Sequence, residues 1–294
     1  MMRSGFVALC GRPNAGKSTL VNAIVGAKVA IVSDKPQTTR RAIRGVATTR
    51  DWQLVLVDLP GLQRPRDVLT ERMARRVERS VADADGAVLV LNGEQPIGGG
   101  DRFLARSLAQ AGRSVIVAVN KVDRLDRART LAALEAAAQL DVGEEIFPVS
   151  ARTGRGVPAL VDALVARLPE GPLLFPAEER SDLPEALELA ELIREPILNR
   201  TRHELPHAIE VQVQEVERTD EDELVRVRAL VWVETESQKG IVIGAGGRMI
   251  KAIGVAARQA LERRLGAHVH LDLSVRVRRH WRKDEALLDR LGIE

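Results

Sequence analysis

The 294-residue sequence has no tyrosine, and aromatic residues of all kinds make up only 2% of it. Without large aromatic side chains, the hydrophobic cores must be built from valine, leucine, isoleucine and alanine. Cysteine occurs once, at Cys10. A single cysteine excludes an internal disulfide bond and is typical of a reducing compartment. Because Cys10 lies in an apolar run, we expect it in a core.

Long hydrophobic runs are missing as well. No segment approaches the roughly 18 consecutive apolar residues that a membrane-spanning helix needs. The first residues lead into an apolar strand without the pattern of a signal peptide. We therefore expect a soluble, cytoplasmic protein.

Acidic and basic residues are unevenly distributed along the chain. Residues 1–170 carry 25 basic and 18 acidic groups (net +7), residues 171–237 carry 7 and 17 (net −10), and residues 238–283 carry 11 and 2 (net +9). Such blocks are usually solvated surfaces, but the last one also contains three histidines and surrounds a glycine-rich turn. It therefore favours an anionic partner. The length of the chain predicts two domains.

One glycine-rich stretch lies between an apolar run and a helix-like run. It reads Gly11-Arg-Pro-Asn-Ala-Gly16-Lys17-Ser18-Thr19. Its glycines permit a tight turn whose backbone N–H groups point at one anion, and the following helix adds the positive end of its dipole. The pattern indicates a bound nucleotide polyphosphate, with Lys17 on the β- and γ-phosphates and the Ser18 hydroxyl on Mg²⁺. The alternative is an ordinary glycine-rich turn, against which the flanking strand and helix argue.

Apolar runs recur through the first half, separated by turns and helix-like stretches. The runs span residues 6–10, 42–47, 53–57, 87–91, 115–119 and 146–149, and the clearest helical stretches span residues 69–82 and 103–111. This alternation predicts an α/β domain with a mainly parallel sheet, in which ligands bind at the carboxyl ends of the strands. The chemistry should therefore lie directly after these runs.

Asp58-Leu-Pro-Gly61 follows one of the apolar runs. At a strand tip the Asp58 carboxylate is suited to hold a Mg²⁺-bound water, and Gly61 has no Cβ to keep its N–H from a γ-phosphate. Alone, this pattern usually marks only a turn. Between the two motifs, a polar loop carries Thr38 and Thr39. Either threonine is a candidate to complete the Mg²⁺ shell when a γ-phosphate is bound, and Thr39 is taken as the metal ligand.

Asn120-Lys121-Val122-Asp123 follows the next-to-last run. The Asp123 carboxylate can accept hydrogen bonds from N1–H and the exocyclic amine of guanine, whereas adenine presents an acceptor at the same ring position. The motif therefore selects guanine. Asn120 is expected to tie this loop to the glycine-rich loop, and the Lys121 stem to cover the base. Ser150-Ala151, after the last run, is placed to approach guanine O6 with its backbone N–H groups.

These motifs in this order resemble the small GTPase superfamily, and longer strings resemble the Era family of bacterial GTPases. The strings begin at Gly11, Pro36 and Leu168 in the first half, and at Glu204, Val233 and His280 in the second. The resemblance covers essentially the whole chain. It implies binding of GTP and GDP with Mg²⁺, GTP hydrolysis, binding to 16S ribosomal RNA near its 3′ end, and a role in assembly of the small (30S) ribosomal subunit.

The resemblance also implies that Asn14 helps to hold a potassium ion near the phosphates, and that the protein contacts the inner face of the cell membrane peripherally. A monomer is expected. The chain departs from the family at Leu59, Leu62 and Gln63. Leu62 occupies the position where many GTPases carry the glutamine that orients the attacking water, and Gln63 is one place late as a substitute. The residues assigned to catalysis are Lys17, Thr39, Gly61 and Asn14.

The second half begins after four prolines between residues 169 and 184, which predict a stiff, exposed linker. Beyond it, a helix, two strands, two helices and a strand follow the order of a type II KH domain. We expect the first helix at residues 185–202, the two strands at 207–216 and 224–233, the helix after the glycine turn at 249–265 and the last strand at 269–277. That turn lets the backbone of a single-stranded nucleic acid approach closely. The predicted RNA-binding residues are Lys239, Gly244, Ala245, Gly246, Gly247, Arg248 and Lys251.

We therefore predict a GTPase domain at residues 1–170, a linker at 171–184 and a KH-type RNA-binding domain at 185–294. Two other hypotheses stay open. The missing glutamine suggests an RNA chaperone whose nucleotide site is occupied with negligible turnover. The GTPase motifs also fit a related enzyme of tRNA modification or large-subunit assembly, although the KH-like half counts against it.

Overall fold

The computed structural model describes residues 2–35, 38–61, 66–143, 145–201, 205–219 and 224–293. These residues form two compact units. The first contains Met1–Ala30, Thr39–Arg66 and Thr70–Asp182, and the second contains Ile31–Thr38, Asp67–Leu69 and Leu183–Glu294. The second unit thus includes two short segments from the first half of the chain, which no sequence pattern indicated.

The first unit is built on a six-stranded sheet. Its strands are β1 (Arg3–Cys10), β2 (Ile43–Thr48), β3 (Trp52–Asp58), β4 (Gly86–Asn92), β5 (Ser114–Asn120) and β6 (Glu145–Pro148). They lie in the order β2-β3-β1-β4-β5-β6. β2 pairs antiparallel with β3, and the other pairings between these strands are parallel. The predicted α/β fold with a mainly parallel sheet is therefore confirmed.

Helices cover both faces of this sheet, which is why the central strands are almost continuously apolar. They are α1 (Lys17–Val25), α2 (Val68–Asp83), α3 (Gly99–Gln110), α4 (Arg127–Ala138) and α5 (Val157–Arg167). One core contains Leu20 of α1 and Leu160 of α5. The core on the other face contains Val77, Leu104 and Ala137, from α2, α3 and α4. Cys10 is buried in that second core, as predicted.

All six predicted strands of this unit are present, with ends displaced by up to three residues. The helix predicted from residue 103 begins earlier, at Gly99. Its start was missed because the three consecutive glycines at 98–100 carry no apolar side chains that would form a helical pattern. The apolar pattern did not indicate α4. This helix buries only Ala137, so it has no apolar stripe to recognise, and Asp126 marks its start by accepting a hydrogen bond from the Arg129 N–H at 2.8 Å.

The proline-rich segment after residue 169 is fastened to the first unit. Gln53 of β3 accepts hydrogen bonds at Oε1 from the N–H groups of Leu174 (2.7 Å) and Phe175 (2.9 Å). Its Nε2 donates to the Phe175 carbonyl at 2.9 Å. Farther along, Arg44 of β2 forms an ion pair with Asp182 at 2.6 Å. The side chain of Gln53 thus supplies partners for a stretch whose prolines cannot form a regular ladder.

The second unit contains a three-stranded sheet with helices. Its strands are β7 (Glu210–Thr219), β8 (Leu224–Val233) and β9 (His268–Val277), and its helices are α6 (Glu185–Arg200), α7 (Leu205–Ala208), α8 (Glu236–Ile243), α9 (Arg248–Leu265) and α10 (Glu285–Arg290). β8 lies in the middle, antiparallel to β7 and parallel to β9. Alternate residues of β8, such as Val227 and Val231, share a core with Ile193 of α6 and Ala257 of α9. The predicted order of helix, two strands, two helices and strand is present.

Two predicted elements in this unit have displaced ends. The strand predicted at residues 207–216 spans Glu210–Thr219, and it begins late because His207 and Ala208 end α7. The helix predicted to continue to residue 202 ends at Arg200. There the N–H and hydroxyl of Thr201 both donate to the Ile197 carbonyl, at 3.0 and 2.8 Å, and close the last turn.

Within the part of the chain that the structure describes, one stretch is long and apolar enough to cross a membrane by length and composition, namely Glu236–Leu265. It does not form a continuous helix. Gly244, Gly246 and Gly247 have φ angles of 72°, 60° and 75°, which separate α8 from α9. The stretch is therefore two helices joined by a glycine turn.

Candidate functional site

Polar side chains of the first unit gather at the carboxyl ends of its strands. The glycine-rich loop follows β1, Asp58 ends β3, Asn120 ends β5 and Ser150 follows β6. Since β3, β1, β4, β5 and β6 are neighbours in the sheet, all four predicted motifs meet at one edge.

The glycine-rich loop requires glycine at position 16. Gly16 has a φ of 94°, and a Cβ there would lie 2.2 Å from Asn120 Nδ2. From this nitrogen Asn120 donates to the Ala15 carbonyl at 2.9 Å. Asn120 therefore ties its own loop to the glycine-rich loop. Within the same loop, Asn14 is exposed with a φ of 62°, and Thr19 is half-buried on the first turn of α1.

The Lys17 ammonium is buried at the start of α1. Its Nζ donates to the carbonyls of Gly11 at 3.1 Å and Arg12 at 3.3 Å. Burial lowers the pKa of Lys17, while Asp58 and Cys10 act in the opposite direction. Burial also raises the pKa of Cys10 to about 12, against the effect of Lys17, so its thiol stays protonated. A buried ammonium whose hydrogen bonds to described residues go to carbonyls is well suited to accept an anionic ligand.

Three side-chain oxygens converge beside this lysine. Ser18 Oγ donates to Asp58 Oδ2 at 2.6 Å and lies 3.1 Å from Thr39 Oγ1. Thr39 Oγ1 donates to the same Asp58 oxygen at 3.3 Å. The Thr38 hydroxyl instead donates to the Lys35 carbonyl at 2.6 Å. Of the two candidate threonines, Thr39 is thus the one placed with Ser18 and Asp58, and the three form a set of hard oxygen donors of the kind that Mg²⁺ prefers.

Gly61 lies against the glycine-rich loop. A Cβ at this position would be 2.8 Å from Pro13 N and 2.9 Å from Pro13 Cγ, so only glycine fits the observed backbone. Leu62 and Gln63 lie outside the described residues, as do Pro36 and Gln37 of the preceding loop. The role of Gln63 in orienting water stays a prediction.

The predicted guanine-binding residues contact one another. Asp123 Oδ1 accepts a hydrogen bond from the Ser150 hydroxyl at 2.7 Å. Asn120 Oδ1 accepts from the N–H groups of Lys121 (2.8 Å) and Ala151 (3.0 Å). The Ala151 N–H already has this partner, so its contact with guanine O6 stays a prediction. The Lys121 ammonium lies 3.4 Å from Glu94 Oε2.

Sequence reasoning missed Glu94 and a second contact of the glycine-rich loop. Arg12 Nη1 lies 3.1 Å from Asp101 Oδ2, and the same Asp101 oxygen accepts from the Gly98 N–H at the start of α3. A Cβ at Gly100 would lie 3.4 Å from Arg12 Cδ. The Gly98-Gly-Gly100 run was the signal that could have revealed this close approach.

The second candidate site is the glycine turn of the second unit. α8 begins with a capping box, in which Thr235 accepts from the Gln238 N–H at 3.2 Å, and carries Lys239. Gly244, Ala245, Gly246 and Gly247 form the turn, and side chains at 246 and 247 would meet open space. Arg248 Nε donates to the Ala245 carbonyl at 3.2 Å, and Lys251 is exposed one turn later. Ala245, Gly246, Arg248 and Lys251 are thus exposed around the start of α9, whereas Lys239 is half-buried with its Nζ 4.0 Å from Glu236 Oε2.

Family models match both halves of the chain. Residues 6–121 match the model described as 50S ribosome-binding GTPase, and residues 204–282 match that of a KH domain. The chain is 47% identical to the GTPase Era of Mycobacterium tuberculosis H37Rv, over 98% of this chain and 98% of that one. It is 48% identical to the GTPase Era of Mycolicibacterium paratuberculosis, over 99% of this chain and 98% of that one.

Solved structures resemble the chain along its full length. One is Era in complex with MgGDPNP and nucleotides 1506–1542 of 16S ribosomal RNA, with 34% identity, a TM-score of 0.96 and coverage of 100% of this chain and 99% of that one. Another is a single-residue variant of Aquifex aeolicus Era bound to GDP.AlF4-, with 33% identity, a TM-score of 0.95 and coverage of 99% of each chain.

Proposed function

This chain belongs to the Era family of GTPases, and we propose that it is a GTP-hydrolysing switch that binds 16S ribosomal RNA and acts in biogenesis of the small ribosomal subunit. The observation that carries the proposal is the convergence of Ser18, Thr39 and Asp58 beside the buried Lys17. The likeness to Era bound to a GTP analogue and to 16S ribosomal RNA supports both ligands.

Ser18, Thr39 and Asp58 are the residues that would hold Mg²⁺. The fit rests on their three oxygens, which already lie within 3.3 Å of one another in the structure. Bound there, Mg²⁺ neutralises charge on the β- and γ-phosphates. The threonine is the ligand that depends on the γ-phosphate, because it sits on the loop before β2 rather than on the sheet.

The same chain supplies the groups that bind the phosphates. Lys17 would exchange its two carbonyl partners for phosphate oxygens, which keeps its charge paired in the buried site. The backbone N–H groups of residues 14–19 and of Gly61 would donate to the phosphates, since Gly61 lies against Pro13, the residue that precedes this stretch of the glycine-rich loop. Asn14 would help to hold a potassium ion there. The positive charge of this ion would take the place of the arginine finger that other GTPases use.

Base selection is assigned to Asp123. Its contact with Ser150 fixes the carboxylate, and Asn120 fixes the loop that carries it. The guanine of GTP and GDP can donate from N1–H and its exocyclic amine to the carboxylate. The adenine of ATP presents an acceptor at the same ring position, so it cannot form these hydrogen bonds. Lys121 would lie along the base, with Glu94 holding its ammonium.

The glycine turn at residues 244–247 would bind the single-stranded part of the RNA near the 3′ end of 16S ribosomal RNA. Backbone atoms can approach closely at a turn without side chains, while Lys239, Arg248 and Lys251 supply cations for phosphates. The net charge of +9 over residues 238–283 supports this assignment. The same cations would mediate a peripheral contact with anionic lipid, and retention of the protein on anionic but not neutral vesicles would test it.

A second candidate is a role on the large subunit, because the model matched by residues 6–121 is described as 50S ribosome-binding. Phosphate release from GTP and crosslinking to ribosomal RNA decide between these alternatives. We expect steady phosphate release and crosslinks near the 3′ end of 16S RNA. Tight GTP binding without release would favour the chaperone hypothesis, and crosslinks confined to 23S RNA would favour the large subunit.

A further inference from the structure

A charged cluster is buried inside the second unit, and neither proposed site explains it. The side chains of Arg194 in α6 and Glu210 at the start of β7 are both 0% exposed, and that of Glu191 is 6% exposed. Arg194 Nη2 lies 2.7 Å from Glu191 Oε2, and Arg194 Nε lies 3.8 Å from Glu210 Oε1. The cluster is therefore a guanidinium between two carboxylates in a buried interior.

Such a cluster is costly to bury and is weak evidence of a role in stability. α6 already packs through Leu189, Ile193 and Ile197, so apolar residues would serve the core better. Burial by itself lowers the pKa of Arg194, but Glu191 and Glu210 more than offset this and raise the pKa above its ordinary value. Arg194 is thus a charged group whose guanidinium donors need acceptors in the interior, and although Nε and Nη1 make no hydrogen bond among the described residues, Nη2 makes two.

One of those donors holds a backbone carbonyl far away in the sequence. Arg194 Nη2 donates to the carbonyl oxygen of Thr38, in the segment Ile31–Thr38 that belongs to the same unit. A second contact fixes the other end of this segment, since Glu195 Oε1 accepts from the Val32 N–H at 3.1 Å. Two consecutive residues of α6 therefore hold both ends of the segment.

The next residue in the chain is Thr39, whose hydroxyl lies in the oxygen set with Ser18 and Asp58. Fixing the Thr38 carbonyl fixes the peptide unit that enters Thr39. We propose that Arg194 is a positioning residue for the nucleotide site, which holds the backbone so that Thr39 is placed for Mg²⁺ before GTP binds. This inference rests on the proposed GTPase function.

The coupling runs in both directions. A ligand that engages Thr39 must favour the conformation in which Arg194 holds Thr38, because energetic coupling between two sites is reciprocal. GTP with Mg²⁺ engages this threonine through the γ-phosphate, and GDP does not. GTP, but not GDP, should therefore stabilise the contacts of segment 31–38 with α6.

The test compares Arg194→Gln with Arg194→Lys and with Arg218→Gln as a matched control. Arg218 also pairs with a glutamate of α6, Glu185, but this pair is exposed. Dissociation constants are measured in Mg²⁺ for GDP and for a non-hydrolysable GTP analogue. We expect Arg194→Gln to weaken binding of the analogue by about tenfold, a typical size for coupling between sites. Binding of GDP should change by less than about twofold, and the lysine variant should lose less. Arg218→Gln should match the wild type.

Equal weakening of both nucleotides, or of neither, in a folded Arg194→Gln protein would overturn the proposal. Should that variant fail to fold, hydrogen exchange on the wild type gives the second measurement. Amides of α6 and of residues 32–35 should exchange more slowly with the GTP analogue than with GDP, and equal rates would again overturn it. A wild type that binds no guanine nucleotide would instead refute the proposed function.

Discussion

Asp123 is the single residue on which selection of the base depends. Replacing it with asparagine puts an amide donor opposite the guanine donors that the carboxylate would accept from, so Asp123→Asn should bind GTP about 10- to 100-fold more weakly, as expected when these hydrogen bonds are lost. Its preference should shift toward xanthine nucleotides, whose extra carbonyl accepts from the amide. Competition of GTP, XTP and ATP against labelled GTP measures this. Wild-type protein that binds ATP as well as GTP would contradict the assignment.

Asn14 is the residue assigned to a monovalent cation. Turnover should be slow and should rise in potassium relative to sodium at equal ionic strength. Asn14→Ala should abolish the rise while GTP binding persists. Because Asn14 has a φ of 62°, alanine also strains the backbone. Asn14→Gly removes the side chain without this strain and should behave the same way. Equal rates in the two salts would contradict the cation site and leave Gln63 or the ribosomal partner to position water.

Single residues also show which parts of the candidate site motif spacing predicts and which it leaves open. Lys17, Ser18 and Asp58 were identified from motif spacing, because strand tips of a parallel sheet must share one edge. Thr39 was chosen over Thr38 as the metal ligand, but the residues themselves gave no reason to prefer it. The choice depends on which hydroxyl turns toward Asp58, and that is set by the backbone of an irregular loop.

At the scale of the elements, Asp101 links the start of α3 to the glycine-rich loop, because it accepts from the Gly98 N–H and pairs with Arg12. Asp101→Asn should lose the ion pair with Arg12 and weaken the cap of α3, whereas the control Asp126→Asn weakens only the cap of α4. Both variants should lose at most about 1 kcal/mol of unfolding free energy. Only Asp101→Asn should raise the dissociation constant of GTP, by a few-fold. Urea unfolding measures the loss of stability, and nucleotide titration measures the dissociation constant of GTP. If Asp101→Asn bound GTP as tightly as Asp126→Asn, the Arg12 contact would have no role in nucleotide binding.

The carboxylate that caps the short helix α10 should make the stability of the folded protein depend on pH in the acidic range. Asp284 accepts a hydrogen bond from the Leu287 N–H at 3.0 Å and pairs with Arg278. The hydrogen bond from Leu287, and to a smaller extent the pairing with Arg278, lower the pKa of Asp284 below its ordinary value of 3.8. A lowered pKa in the folded state stabilises the protein above the unfolded-state pKa, and this contribution is lost as the pH falls through the folded-state value. The difference in urea midpoint between wild type and Asp284→Asn should therefore shrink below pH 3.8. A difference that stays constant from neutral pH down to that range would contradict it.

Elements were predicted where a periodic apolar pattern marks them and were missed where it does not. The six strands of the first unit and the strands of the second are apolar runs or alternations. α4 escaped because it buries only Ala137, and α7 because a helix of four residues, Leu205–Ala208, is too short to show a period.

The division of the whole molecule was least visible in the sequence. Composition and prolines indicated one boundary near residue 170, whereas the second unit also contains Ile31–Thr38 and Asp67–Leu69. Arg194 holds the first segment, and Arg282 forms an ion pair with Asp67 in the second. Contacts between residues more than 150 positions apart leave no local pattern, so only the folded chain reveals them.

The two proposed binding functions should be separable in the whole molecule, because the nucleotide residues lie in the first unit and the glycine turn lies in the second. Gly247→Asp puts a carboxylate on this turn. A Cβ there meets no atom within 4 Å, and aspartate tolerates a φ of 75° better than most residues. Repulsion of the RNA backbone should weaken binding to a 3′ fragment of 16S ribosomal RNA by about tenfold or more, while GTP affinity stays unchanged.

Gly266→Asp is the matched control for this variant. Gly266 also has a positive φ, of 66°, and open space around its Cβ position, but it ends α9, about 28 Å along the helix from Gly247. The control adds the same charge with similar backbone strain, so it should bind RNA within about twofold of the wild type. Salt weakens phosphate binding in every version and does not discriminate between them. Equal loss of RNA by both variants would remove the glycine turn from the RNA site. If a folded Gly247→Asp protein lost GTP binding as well as RNA binding, the basic residues at 238–283 would belong to the nucleotide site.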